Sequence, residues 1–280
     1  GPQPNAISYN SAMSACVAHW QHAAMLLQEM KKPGTFSPWR RADVISYSAV
    51  TNACANSSQW EEALALLSMA EGLPEVEVNA VMINAAVTAC ERASQWQQAL
   101  NLLMMCTKPT VVTYAAVLSS LEEAAAWHWA LLLVSMARDQ GIQVNVVAMN
   151  AAISVCEKAG HWQHATSLLV NSGDLLPDTI SYNASISACR YHWRLAIHLM
   201  KRQHSYSVQP NVISYNATIS ACEKSFEWRQ ALCWLSEVDL SMQRSTITNT
   251  SAISACEKVA AWQTALKLLF NIASSQRPNS

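Results

Sequence analysis

An asparagine returns through this chain at almost constant spacing, inside phrases such as Ile-Ser-Tyr-Asn: Asn10, Asn84, Asn150, Asn183 and Asn216. Ser48, Ala115 and Thr250 hold the same place in the remaining copies. Amides and hydroxyls are uncharged donors and acceptors, so this chemistry is hydrogen bonding to a ligand's edge and not bond-breaking. Little else suggests a reaction. There is no His-x-Glu with Cys-x-x-Cys, no Gly-rich phosphate loop and no triad-like spacing. The nine cysteines form no Cys-x-x-Cys pair and no zinc-spaced set with histidine. His128, His161 and His164 cluster around tryptophans and read as structural or exposed. No enzymatic activity, metal or cofactor is expected.

The elements that must position these amides show themselves as a repeat. Cys16, Cys54, Cys90, Cys156, Cys189, Cys222 and Cys256 recur with a mean period of roughly 34 residues, Leu121 taking the vacant slot. The Asn position lies six residues before each, and a Trp lies four or six residues after: Trp20, Trp60, Trp96, Trp127, Trp162, Trp193, Trp228 and Trp262. Residues 212–224 read V-I-S-Y-N-A-T-I-S-A-C-E-K. Tyr215, Ile219 and Cys222 fall on one helix face, which should pack inside. Ile213, Asn216, Ser220 and Glu223 fall on another, mostly polar face. A second helix starts at Trp228, is expected to bury Trp228, Ala231, Leu232 and Leu235, and is separated from the first near Ser225-Phe226. Pro177-Asp178 and Pro210-Asn211 end one hairpin and cap the next helix. One hairpin cannot cover its apolar face, so stacking must.

Bulk composition agrees: 51% of residues are hydrophobic and 13% charged, which excludes a disordered chain. The recurring cysteines read as small core residues in a reducing compartment. The apolar run from Ala124 to Ala137 is too short for a bilayer and reads as a packed helix. The net charge of −1 and pI near 6.8 give no overall basic field. Residues 31–42 add a loop to the first repeat, with Lys31, Lys32, Arg40 and Arg41 as a second reading, a basic arm. Residues 1–5 read as the tail of a preceding repeat. Eight repeats are then expected at 6–43, 44–79, 80–110, 111–145, 146–178, 179–211, 212–245 and 246–280, a window of a longer chain.

The period, the V-x-[ST]-Y-N opening of helix one and the A-L-x-L-L phrase of helix two resemble the pentatricopeptide repeat family over nearly the whole chain. The Trp opening helix two departs from the commoner consensus, and the tetratricopeptide Trp-Leu-Gly and Pro signature is absent. The resemblance implies an all-α fold, a right-handed superhelical α-solenoid of stacked hairpins, that binds single-stranded RNA at one nucleotide per repeat. It assigns base sandwiching to the second residue of helix one: Ile7, Ile45, Val81, Val112, Val147, Ile180, Ile213 and Ile247. Base reading falls to the fifth residue, the Asn position above. The last residue of each repeat assists: Asp43, Asn79, Thr110, Asn145, Asp178, Asn211, Ser245 and Asn279. The family's pairing rules then spell U-A-pyrimidine-any-U-C-pyrimidine-A.

Arg92, Lys158, Lys224 and Lys258 at position thirteen, with Arg190 at position twelve, could line a phosphate backbone despite the neutral total, or pair with neighbouring glutamates in solvent. Repeat four has Ala115 as reader and Glu122-Glu123 at the cation position, so it is expected to space the RNA without reading it. Repeat eight carries Asn249 where Tyr is usual. Membership further implies a plastid or mitochondrion and an organellar transcript as partner, for processing, stability, editing or translation. The alternative is a protein-binding scaffold in an organellar ribosome or a photosynthetic or respiratory assembly. Neither reading involves a small-molecule substrate or a membrane span.

Overall fold

A computed structural model describes residues 5–31, 42–73, 76, 78–173, 175–206, 208–241, 246–259, 261, 263–266 and 269, the side chains of 239–247 excepted. Among the described residues all regular structure is helical: α1 (Ala6–Ala15), α2 (Trp20–Lys31), α3 (Val44–Asn56), α4 (Trp60–Glu71), α5 (Ala80–Arg92), α6 (Trp96–Met105), α7 (Val111–Ala124), α8 (Trp127–Asp139), α9 (Val146–Lys158), α10 (Trp162–Val170), α11 (Thr179–Ala188), α12 (Trp193–Ser205), α13 (Val212–Lys224), α14 (Trp228–Ser241) and α15 (Thr246–Lys258). The chain forms two compact units, Gly1–Ala151 and Ala152–Ser280. In the first, α1 packs on α3, α3 on α5 and α5 on α7, and each of the four packs on its own second helix. In the second, α11 packs on α13 and α13 on α15, α11 and α13 pack on α12 and α14, and α10, α12 and α14 lie against the following first helix. Each unit is a stretch of α-solenoid.

The periodic apolar face explains the stacking. Tyr47, Val50 and Cys54 of α3 are fully buried, as are Ile219 and Cys222 of α13. Burial of such aliphatic side chains contributes on the order of 1.5–3 kcal/mol each. The cysteines are free. Burial pushes Cys54, Cys90 and Cys156 up to about 11, and Cys189 and Cys222 to about 12, so they are neutral packing groups. Cys16 departs from the expectation and is half-buried: α1 is covered by α2 and α3, whereas α3 has a repeat on each side. The second-helix expectation also needs correction. Trp228 and Leu232 are only half-buried, while Trp234 and Val238 are buried beside Ala231 and Leu235. The inward face of α14 carries Trp234, whose ring lies tilted against Tyr215 of α13 with centroids 6.1 Å apart. The tryptophans opening α2, α4, α6, α8, α10 and α12 are half-buried too, at the corner of each hairpin.

Turns and caps fix where each helix starts. Four residues after the core Cys or Leu121, the backbone turns left-handed: Ser58 φ 57, Ser94 φ 56, Ala125 φ 49, Gly160 φ 77 and Phe226 φ 62. The next residue's N–H then returns to the core residue's carbonyl, as in Gln59 to Cys54 at 2.9 Å and Glu227 to Cys222 at 2.9 Å. The first helices α3, α5, α7, α9, α11 and α13 are each capped by the last residue of the preceding repeat. Asp43, Asn79, Thr110, Asn145, Asp178 and Asn211 accept from the backbone N–H three residues on, the expected role of Asp178 and Asn211. Asp43, Thr110, Asp178 and Asn211 close a reciprocal box with a Ser or Thr hydroxyl. The long first-repeat loop lies outside the described residues apart from its ends, where Lys31 sits 4.8 Å over the Tyr47 ring. No described helix is long and apolar enough to cross a membrane.

Two predictions follow from these helix ends. Phe226 is exposed, so replacing it relieves left-handed strain without opening the core. Phe226→Gly should stabilise by about 1 kcal/mol and raise Tm by roughly 2 °C in calorimetry. Burial opposes ionisation of Asp43, but hydrogen bonds from the Ser46 backbone and hydroxyl and from Asn10 outweigh it, holding its carboxyl below the ordinary 3.8. Its stabilising contribution is therefore complete above that value and is lost as pH falls through the lower, folded-state one. Urea titrations from pH 6 downward should show a smaller acid-side fall in stability for Asp43→Asn than for the wild type.

Candidate functional site

The exposed edge of the described first helices carries position two, with positions five and nine beside it. At position two, Ile7, Ile45, Val81, Val112, Val147, Ile180 and Ile213 are 58–73% exposed. That is unusual for β-branched side chains, which are among the most readily buried. Ile247 lies on α15, but its side chain is outside the described residues. Between the second and third repeats this edge is concave. A cleft of about 470 Å³ has Ile45 and Val81 at position two, Ser48 and Asn84 at position five, and Asn52 and Thr88 one turn further on. Its size falls in the range of small-ligand sites.

Position five meets the last residue of the same repeat, the pair that the family resemblance names. Asn10 Nδ2 donates to Asp43 Oδ1 at 3.2 Å, Asn183 Nδ2 to Asn211 Oδ1 at 3.2 Å, and Asn84 Nδ2 to Thr110 Oγ1 at 3.5 Å. A third group, unforeseen from the sequence, joins each pair: the hydroxyl three residues into the next repeat. Ser46 Oγ donates to Asn10 Oδ1 at 2.6 Å, Thr113 Oγ1 to Asn84 Oδ1 at 2.5 Å, Ser214 Oγ to Asn183 Oδ1 at 2.5 Å, and Thr248 Oγ1 to Asn216 Oδ1 at 2.5 Å. These bonds return the cost of placing Asn inside a helix, which alone is then no argument for a ligand. Asn10 and Asn183 are buried by them, while Asn84, Asn150 and Asn216 are half-buried. Ser48 instead bonds the Val44 carbonyl of its own helix at 2.6 Å. Ala115 offers no polar group, and Thr250 is exposed. Ser245 and Asn279 lie outside the described residues.

The cations divide. Arg92, at the end of α5, donates to the Asn56 carbonyl at 3.3 Å and to Asn56 Oδ1 at 3.2 Å, closing the C-terminus of α3 in the preceding repeat. Lys258 pairs at 2.9 Å with Glu223 of the preceding repeat, which also accepts from Ser254 at 2.8 Å. Lys158 is exposed; Arg190 and Lys224 are half-buried. Among the histidines, the exposed His128 stacks on Trp127 and His192 lies against Trp162, while His161 and His164 are half-buried. Among the described residues no group of three or more His, Cys, Asp or Glu is placed to hold a metal.

Comparison with known proteins agrees with this architecture. Residues 170–225 match the family model for the pentatricopeptide repeat domain, and residues 45–72 that for the PPR repeat. No curated protein matches the sequence. Among solved structures the chain is similar to the pentatricopeptide repeat protein PPR10 from maize, with a TM-score of 0.72 and 20% identity over 97% of this chain. It spans 40% of the maize chain's length. The same protein in complex with an 18-nt psaJ RNA element superposes less well, with a TM-score of 0.43, 16% identity, 98% of this chain and 51% of that one. The PPR domain of Arabidopsis thaliana protein-only RNase P 1 in complex with tRNA gives 0.48 at 14% identity, over 58% of this chain and 89% of that one. The two family-model matches identify residues 45–72 and 170–225 as pentatricopeptide repeats, set in an array of hairpins of like period and fold.

Proposed function

We propose that this protein binds single-stranded RNA in a sequence-specific manner, one nucleotide per repeat, in a plastid or mitochondrion. The observation that carries the proposal is the row of exposed β-branched side chains at position two. Isolated exposed isoleucines are ordinary, but the same position left open in seven described repeats needs a common purpose. A nucleobase supplies it: its faces are apolar and its edges polar. Ile45 and Val81 bound a cleft with Ser48 and Asn84 beside them, which suits a flat ring held between aliphatic side chains with its edge on an amide or hydroxyl. Maize PPR10, of the same fold, forms a complex with RNA.

In this reading the chain acts by occupying a transcript, and processing, stability, editing or translation respond to that occupancy. Asn10, Ser48, Asn84, Asn150, Asn183, Asn216 and Thr250 read base edges, with Asp43, Asn79, Thr110, Asp178 and Asn211 beside them. Lys158, Arg190 and Lys224 are the cations offered to phosphates; Arg92 and Lys258 reach them with the donors that their bonds to the preceding repeat leave over.

Labelled U-A-C-A-U-C-C-A and a scrambled octamer, titrated at several salt concentrations, test the proposal. The first should bind more tightly. Ile180→Ala with Ile213→Ala should weaken it by more than tenfold, at about 1 kcal/mol per truncated side chain, while Tm is unchanged because both are surface sites. Equal, weak binding of both octamers would leave the fold standing and turn attention to a protein-binding scaffold.

A further inference from the structure

We propose that the hydroxyl at position three of each following repeat is a specificity-determining latch. It fixes the orientation of the position-five asparagine, and it rests on the reading of that asparagine as facing a base. The geometry is the same in four described repeat junctions: Ser46 on Asn10, Thr113 on Asn84, Ser214 on Asn183 and Thr248 on Asn216.

The chemistry admits one orientation of the amide. Asp43 Oδ1 can only accept, so Asn10 must present Nδ2 to it and Oδ1 to the Ser46 hydroxyl. Asn211 Oδ1 already accepts from the Ser214 backbone N–H at 3.1 Å, which imposes the same orientation on Asn183. The Ser214 hydroxyl cannot easily turn away. It accepts from the Asn211 backbone at 3.2 Å and from the buried Gln203 at 3.4 Å, and of the two acceptors within reach of its single proton Asn183 Oδ1 at 2.5 Å is closer than Asn211 Oδ1 at 3.2 Å. With one N–H and one lone pair committed, each amide keeps one donor and one acceptor in a fixed order. A base then meets a preset edge. Without the latch the amide keeps, of these two bonds, that to Asp43 or Asn211 alone, so it can swing about it and its edge is no longer held in one plane.

The sequence carries an independent mark of the coupling. Asn10, Asn84, Asn150, Asn183 and Asn216 are each followed by a hydroxyl at position three of the next repeat: Ser46, Thr113, Ser181, Ser214 and Thr248. Of the three reader positions that are not Asn, Ser48 and Ala115 are followed by Met82 and Ala148, which have none, and Thr250 stands in the eighth repeat. Asn and hydroxyl occur together or not at all.

Four labelled octamers that differ only at the sixth nucleotide of U-A-C-A-U-C-C-A would be titrated into wild type, Ser214→Ala and Ser214→Thr. Wild type should prefer C over the other bases by roughly tenfold, the size of one bidentate base contact. Ser214→Ala should bind all four within about twofold, keep its preference at the first nucleotide, and recover the sixth-position preference when the hydroxyl is restored as Thr. Ala115→Asn with Ala148→Ser should create a preference at the fourth nucleotide that Ala115→Asn alone does not, a test that holds even if Ser214→Ala folds poorly. Undiminished discrimination by Ser214→Ala, or an equal gain from Ala115→Asn alone, overturns the latch and leaves base reading intact. A wild type indifferent at every position overturns both.

Discussion

A hairpin of two short helices exposes more apolar surface than its own helices can cover, and that shortfall organises the rest of the molecule. Tyr47, Val50 and Cys54 are fully buried because α3 is enclosed by its own partner α4 and by the helices of adjacent repeats. Since the cover is another copy of the same hairpin, a given position meets the same kind of neighbour at every junction. One stripe of each first helix is left over, and its composition is free of packing demands. Isoleucine or valine nonetheless stands at position two in all eight repeats. A surface site under no constraint drifts toward polar residues, so an uncovered β-branched side chain is the part of the design that internal packing does not explain.

Polar groups at the repeat junction obey a second constraint. The start of a buried first helix leaves backbone N–H groups that must find partners. The preceding residue accepts one and a position-three hydroxyl returns the bond, as at Asn211 and Ser214. The same hydroxyl reaches the Asn of the preceding repeat. One Ser therefore caps its own helix and ties two repeats together, and each bond is worth about 1 kcal/mol net. Because network members polarise and orient one another, a change at one alters the others.

Much of this was legible in the sequence. The 34-residue period, the apolar face of Tyr215, Ile219 and Cys222, the caps at Asp178 and Asn211 and the break at Ser225-Phe226 are local patterns set by helix periodicity and turn chemistry. What was not legible depends on non-local partners. Trp228 looked like a core residue by spacing, yet Trp234 is the buried one because Tyr215 of the other helix meets it. The left-handed turns were hidden, since Ser58, Ser94, Ala125 and Phe226 occupy the position where only Gly160 announces one. Asn at position five, a poor helix former, has its partner about thirty residues away in the next repeat. Comparing position five with the following position three would have exposed it.

The near-neutral charge of this chain fits a surface whose polar groups are already engaged with one another. With 18 Lys and Arg against 19 Asp and Glu, no broad positive field exists to gather an anionic polymer. Cations along the first helices also serve the fold, Arg92 on the C-terminus of α3 and Lys258 on Glu223. Under the proposed function, affinity for RNA on such a surface comes from base faces and edges more than from phosphate neutralisation. Those contacts are short-ranged and directional, so they demand side chains held still. A junction in which the helix cap, the inter-repeat tie and the amide presented to the ligand share one hydroxyl meets that demand without added charge. It also means that the residues from which RNA specificity would be built are those that hold one repeat to the next.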